Sequence, residues 1–250
     1  MNTPAQIAAN YVTVGKGKAN LPLAKMVLLS ILAGAFIALA GVAATFGNVY
    51  VNKAMGAAIF PAGLAMVMIA GSELFTGNCL LVIPLLEKEI TLKQTVRNLV
   101  VVYLGNLVGG ALVSACAVYG GTFDAIAETV VATAAAKATL PFAAAFLRGI
   151  LCNVLVCLGV WMGLAGTTVS GRIIGLFFPV MCFVICGYEH CIANMFYIPA
   201  GLMAAGRMGI SAAGLTVWGF ARNLLPVTLG NIVGGVGLGA MYWAVYLRKK

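Results

Sequence analysis

The sequence predicts an all-α integral membrane protein in which six spans form two inverted three-helix repeats, with the second and fifth helices broken at mid-membrane. Three observations predict it. Hydrophobic residues make up 62% of the 250-residue chain against 8% charged, and the mean hydropathy is +1.06, far outside the range of a soluble domain. A polar motif, Gly-x-Glu-x4-Asn, occurs twice inside apolar stretches, from Gly71 to Asn78 and from Gly187 to Asn194. A second motif also recurs: Arg97-Asn98-Leu99 with Leu104-Gly105-Asn106-Leu107-Val108-Gly109-Gly110 returns 125 positions later as Arg222-Asn223-Leu224 with Leu229-Gly230-Asn231-Ile232-Val233-Gly234-Gly235.

The spans follow in order. Apolar stretches long enough to cross a bilayer, about 20 residues each, lie near 24–47, 96–120, 141–166 and 223–247. Two more, near 57–86 and 172–206, contain the polar motif. The first span follows a polar amino terminus that lacks the basic segment, short apolar core and cleavage site of a removable leader, so it is expected to stay in the chain. Lys16, Lys18 and Lys25 precede span one, Lys88, Lys93 and Arg97 fall between spans two and three, Arg172 starts span five, and Arg248, Lys249 and Lys250 close the chain. The intervening loops are poorer in basic residues, so the positive-inside rule puts both termini in the cytoplasm, at the cell's inner (plasma) membrane. The net charge of +9 thus reports topology. It shows no basic face with stacking aromatics, and nucleic-acid binding is not expected.

Each half has three spans. An odd number makes the copies cross in opposite directions, so the expected domain is a single unit, 1–250, with repeats at approximately 20–122 and 138–248 related by a pseudo-two-fold axis in the membrane plane. That axis brings the two breaks together. In span two, Gly71, Thr76, Gly77 and Asn78 permit irregular backbone, which survives at that depth only where it is buried or lines a cavity. In span five Gly187 is the matching break, and a second half-helix is expected to start near Glu189 with its amides aimed at the same place, an arrangement that suits an anion. The Gly-x-x-x-Gly spacings at 105–109 and 230–234 let helices approach closely. Spacing alone leaves open whether that approach is within one subunit or between two.

Carboxylates at bilayer depth are expensive, about 3 kcal/mol on insertion scales, so Glu73 and Glu189 call for a reason. Glu73 reads best as a brace that takes hydrogen bonds from loop amides. Glu189 calls for a cation from elsewhere, such as Lys137. His190 is the sole histidine, and its ordinary pKa of about 6.5 allows proton exchange near neutrality. Thr76, Asn153 and Asn194 are polar residues that can donate to a passing oxyanion or to the buried carboxylates. The seven cysteines, at 79, 116, 152, 157, 182, 186 and 191, all lie in apolar segments without a Cys-x2-Cys pair, and no metal or cofactor motif is visible.

Three stretches now carry a resemblance: Glu73-Leu74-Phe75-Thr76-Gly77-Asn78, Gly149 to Trp161 with its Cys-Asn-x-Leu-Val-Cys-Leu core, and Glu189-His190-Cys191-Ile192-Ala193-Asn194-Met195. The chain closely resembles the formate/nitrite transporter family over nearly its whole length. The resemblance implies an aquaporin-like six-helix protomer in a homopentamer, each protomer carrying its own pore for small monovalent anions. It implies a central histidine at His190, a loop threonine at Thr76, pore asparagines at Asn153 and Asn194, and Lys137 tuning the histidine through Glu189. It further implies two apolar constrictions, Phe60 with Leu64 on the cytoplasmic side and Leu74 with Phe183 on the outer side. Formate is the first expected substrate, nitrite next and hydrosulfide third, with His190 protonating the anion.

Readings of other classes fare worse. A neutral-solute channel of aquaporin type predicts Asn-Pro-Ala boxes at the half-helix starts, which this chain lacks. A membrane-embedded enzyme built on Glu73, Glu189 and His190 needs a nucleophile, metal cluster or cofactor motif. A passive structural or receptor protein has no use for ionisable residues at the repeat axis.

Overall fold

The structure, a computed structural model, describes residues 1–248; Lys249 and Lys250, counted above among the basic residues that close the chain, lie outside the described residues. The amino terminus forms a surface helix, α1 (Pro4–Ala19), started by a capping box in which Thr3 and Gln6 satisfy each other's backbone amides. Four long helices then cross without a break: α2 (Leu23–Tyr50), α7 (Leu92–Tyr119), α9 (Phe142–Ala165) and α12 (Val217–Tyr246). The shortest has 24 residues, about 36 Å at 1.5 Å per residue, more than the hydrocarbon thickness of about 30 Å. The other two crossings are composite. The second runs through α3 (Lys53–Ile59), α4 (Pro61–Met66) and a π-helical turn (Val67–Gly71), then resumes as α5 (Phe75–Asn78) and α6 (Val82–Leu86). The fifth is α10 (Val169–Ile185) followed by α11 (Cys191–Met208), and between α7 and α9 lies a short helix, α8 (Ala127–Ala138).

The two breaks are built alike. Ser72 N–H reaches back five residues to Val67 O and Tyr188 N–H reaches back five to Phe183 O, each at 3.0 Å. The preceding glycines, Gly71 and Gly187, hold φ of +84° and +69°, the left-handed region that side chains with a Cβ avoid. Helix α5 resumes at Phe75 and α11 at Cys191, so the second half-helix starts two residues later than the expected Glu189.

Close packing ties long helices together inside one protomer. Gly105 and Gly109 of α7 lie against Ser30 and Ile31 of α2, while Gly230 and Gly234 of α12 lie against Phe146 and Ile150 of α9. A Cβ on Gly109 or Gly234 would fall on the carbonyl oxygen of Ile31 or Ile150. The Gly-x-x-x-Gly question left open by spacing is thereby answered. Near the centre, Tyr103 and Thr228, themselves 125 positions apart, share a 2.9 Å hydrogen bond. Repeat-equivalent residues touch in this way only beside the axis that relates them.

Candidate functional site

Each break is held by the same set of polar side chains. Asn106 on α7 accepts Phe75 N–H at 3.0 Å and donates to Ser30 O and Glu73 O at 2.7 and 2.9 Å. Asn231 on α12 accepts Cys191 N–H at 2.9 Å and donates to Gly149 O and Glu189 O at 2.8 and 2.9 Å. These helices pack closely at the neighbouring glycines, which is why an asparagine between them reaches the broken backbone. The carboxylates are matched too. Lys18 Nζ lies 2.8 Å from Glu73 Oε1 and Lys137 Nζ 2.9 Å from Glu189 Oε1. Asn78 donates to Glu73 Oε2 and Asn98 Oδ1 at 2.7 and 2.8 Å, and Asn194 donates to Glu189 Oε2 and Asn223 Oδ1 at 2.6 and 2.8 Å. Asn98 and Asn223 in turn donate to the backbone carbonyls of Lys18 and Lys137. Buried carboxylates paired and hydrogen-bonded on both oxygens have exchanged water for fixed partners.

Two cavities enter the protomer from opposite faces. The first vestibule, about 450 Å³, is mostly apolar and carries Lys18, Lys25 and Arg172 on its walls. The second, about 200 Å³, is richer in polar groups and is lined by Thr129, Thr133, Lys137, His190, Asn194 and Tyr197 among others. Between them lies a neck of about 10 Å³ walled by Ile37, Phe60, Leu64, Leu74, Val156, Val180, Phe183 and His190.

The constrictions group differently from the expectation. Phe60 and Phe183 meet edge-on with ring centres 5.8 Å apart and both line the second vestibule, whereas Leu64 and Leu74 both line the first. Where the expectation paired Phe60 with Leu64 and Leu74 with Phe183, the vestibule walls group Phe60 with Phe183 and Leu64 with Leu74, and all four also wall the neck. Residues four apart share a helix face but stand about 6 Å apart along the axis, so Phe60 and Leu64 belong to different depths of the pore.

His190 caps α11. Its Nδ1 accepts Ala193 N–H at 3.0 Å and its Nε2 lies 3.0 Å from Thr76 Oγ1. A ring that accepts at Nδ1 carries its proton on Nε2, so His190 donates to Thr76. The ring lies nearly parallel to Phe183, 5.8 Å away, and so forms part of the neck wall. Thr76, Asn153 and Glu189 stand behind the walls of the three cavities. Asn153 commits both N–H groups to carbonyls, Thr76 O at 3.2 Å and Asn231 O at 2.6 Å, so it braces the first break from behind.

Paired half-helix breaks, a lysine–glutamate pair at each and a histidine in the neck make this a membrane passage. Comparison with known proteins fits that geometry. The family described as "Formate/nitrite transporter" matches residues 5–245. The chain belongs to the formate/nitrite transporter family. A "Probable formate transporter" of Methanothermobacter thermautotrophicus is 39% identical over 99% of this chain and 98% of the relative. Among solved structures, an "FNT family ion channel" superposes with a TM-score of 0.83 at 33% identity, covering 96% of this chain and 97% of that one. A "Pentameric formate channel with formate bound" superposes at 0.77 and 34% identity, covering 90% and 98%. The relatives are channels and transporters, so this family member is a membrane transport protein and not an enzyme.

In this family member the Lys18–Glu73 pair was not anticipated from sequence. A signal was present: Lys18 stands 55 residues before Glu73 and Lys137 stands 52 before Glu189, so the lysine repeats along with the motif. Tyr11 likewise escaped notice, although its hydroxyl reaches Gly77 O and it is fully buried. Both residues sit on α1, a helix too polar to register as a span.

Proposed function

We propose that the protein carries small monovalent anions of weak acids through a pore in each protomer, formate first and nitrite second, with hydrosulfide third among the alternatives. The observation that carries this reading is the pair of cation-bearing vestibules separated by an apolar neck whose one ionisable wall residue is His190. The formate carried by the pentameric relative supports the choice of substrate, and its assembly supports a homopentamer. Rows of exposed apolar side chains, Val100, Leu104 and Val108 on α7 and Leu225, Leu229 and Val233 on α12, suit lipid or neighbouring protomers. Both termini are assigned to the cytoplasm of an inner (plasma) membrane protein, which makes the first vestibule the inner one.

Lys25 and Arg172 inside, and Lys53 outside, have no carboxylate partner among the described residues and raise the local anion concentration. At the neck the anion loses its water among Phe and Leu side chains, and its neutral acid crosses far more cheaply. The nearest proton is on His190 Nε2. An anion entering the neck competes with Thr76 for that N–H. For that proton to move onto the substrate, Nδ1 must first take one from a hydronium ion in the vestibule as the Ala193 cap opens, so that the imidazolium is the donor; the neutral ring left behind then gives its Nδ1 proton to water and takes one back at Nε2. Asn194, Asn231 and Glu189 hold the break that aims the ring, Asn153 braces the opposite break that carries Thr76, and Lys137 balances the charge of Glu189. The test is formate flux into proteoliposomes against pH for wild type and His190→Phe. The reading expects saturable flux that rises as pH falls, with the pH dependence lost in the variant; a variant indistinguishable from wild type removes the proton role.

A further inference from the structure

Asn194 faces the second vestibule, and its polar atoms are unevenly used. Both N–H groups are committed, to Glu189 and Asn223, while Oδ1 is buried and has no partner among the described residues. The amide cannot be turned over. A flip would set its oxygen 2.6 Å from a carboxylate oxygen of Glu189 and against Asn223 Oδ1, whose own amide is fixed by donation to Lys137 O at 2.8 Å. The asparagine therefore has no N–H left for an anion; what remains is a lone-pair oxygen. A buried acceptor without a donor is unfavourable by about 1–3 kcal/mol, and such groups in native proteins usually mark a missing partner.

We propose that Asn194 Oδ1 is the acceptor that recognises the undissociated form of the substrate, taking a hydrogen bond from the O–H of the protonated acid. This deepens the weak-acid reading above and rests on it. Lys137 Nζ and Asn194 Nδ2 bind the two oxygens of the same carboxylate, Oε1 and Oε2 of Glu189, so both stand within hydrogen-bond reach of one carboxyl group. A carboxylic acid laid beside them gives its O–H to Asn194 Oδ1 and accepts a remaining Lys137 N–H at its carbonyl oxygen. A bare anion meets a lone pair at the same place and is disfavoured. An ammonium ion also carries donors, but Lys137 repels it. The ionisable groups round this position are Lys53, Lys137, Tyr188, Glu189, His190 and Tyr197. Nothing in the proposal requires any of them to titrate.

The repeat supports the assignment. Asn78, the equivalent of Asn194 in the first vestibule, also commits both N–H groups, to Glu73 and Asn98. At both entrances the asparagine beside the lysine–glutamate pair has given its N–H groups to the network, and only at Asn194 is the amide oxygen buried without a partner among the described residues.

The experiment compares formate flux with nitrate flux in proteoliposomes, since nitrate is the anion of a strong acid and stays unprotonated. Asn194→Leu and Asn194→Ala remove the acceptor. Asn194→Asp, protonated against Glu189, keeps an acceptor oxygen. The expected result is a formate-to-nitrate ratio about fivefold lower in the Leu and Ala variants, the factor carried by one hydrogen bond of average strength, with the ratio kept in Asn194→Asp. A folded Leu or Ala variant with the wild-type ratio overturns the proposal. Should neither fold, loss of the ratio in Asn194→Asp overturns it. Wild-type protein without formate flux is a different outcome and removes the functional reading itself.

Discussion

Replacing Lys137 with methionine tests how the broken helices are held. The lysine is 19% exposed and Glu189 is 6% exposed, so water does little to screen the charge that remains. Removing one partner of a buried ion pair destabilises by about 3–5 kcal/mol. Glu189 keeps its Asn194 hydrogen bond at 2.6 Å, which places the expected loss near the lower end, about 3 kcal/mol. For a chain of this length that is a melting temperature about 6–12 °C lower. The assay is thermal unfolding in detergent, read on Lys137→Met, Glu189→Gln and the double variant. Neutralising both partners removes the stranded charge, so the double variant is expected to recover most of the loss. The matched pair, Lys18 at 23% and Glu73 at 6%, should behave alike with Lys18→Met and Glu73→Gln. A Lys137→Met protein that melts like wild type, or a double variant no more stable than Lys137→Met, would refute the view that these pairs stand in for water.

Two further outcomes follow from packing. Gly109→Ala should destabilise by at least about 1–3 kcal/mol, the usual range for overpacking, because its Cβ falls on Ile31 O, while Gly17→Ala, with open space around it, should change the melting temperature little. Phe183→Ala removes one of the two edge-on rings of the second-vestibule constriction, so conductance of unprotonated anions such as nitrate should rise in planar bilayers, with an unchanged ratio of nitrate to formate counting against the neck as the barrier.

Much of the fold was legible because its causes are local. Runs of apolar residues are long enough to span whatever they pack against, and Gly71 and Gly187 mark the breaks because only glycine holds φ near +70° to +84° without strain. Duplication made the topology legible as well, since three spans per repeat leave no orientation but the inverted one. The site was legible in its residue types and less so in its geometry. Phe60 and Leu64 share a helix face, and sequence periodicity reports faces without reporting depth, so Phe60 was paired with Leu64 along its own helix although its ring meets Phe183 of the other broken crossing.

Hydrogen-bond direction was the other gap. Asparagine carries both donors and an acceptor, and the sequence is silent on which of them face the pore. Asn153 and Asn194 read as donors to an oxyanion until their neighbours are in place. Asn231, Thr76, Glu189 and Asn223 take up every N–H they have. These partners lie up to 78 positions away.

By itself the sequence determined that this chain lives in a membrane, how many times it crosses, where two crossings break, and that the halves are copies, because hydrophobicity, backbone freedom and repetition are properties of segments. Only the tertiary structure decided which lysine neutralises which carboxylate, which rings close the neck, and which atom of Asn194 is left over. Those are properties of neighbours, and inside a bilayer, where water can satisfy no polar group, the neighbours determine what each group can still do.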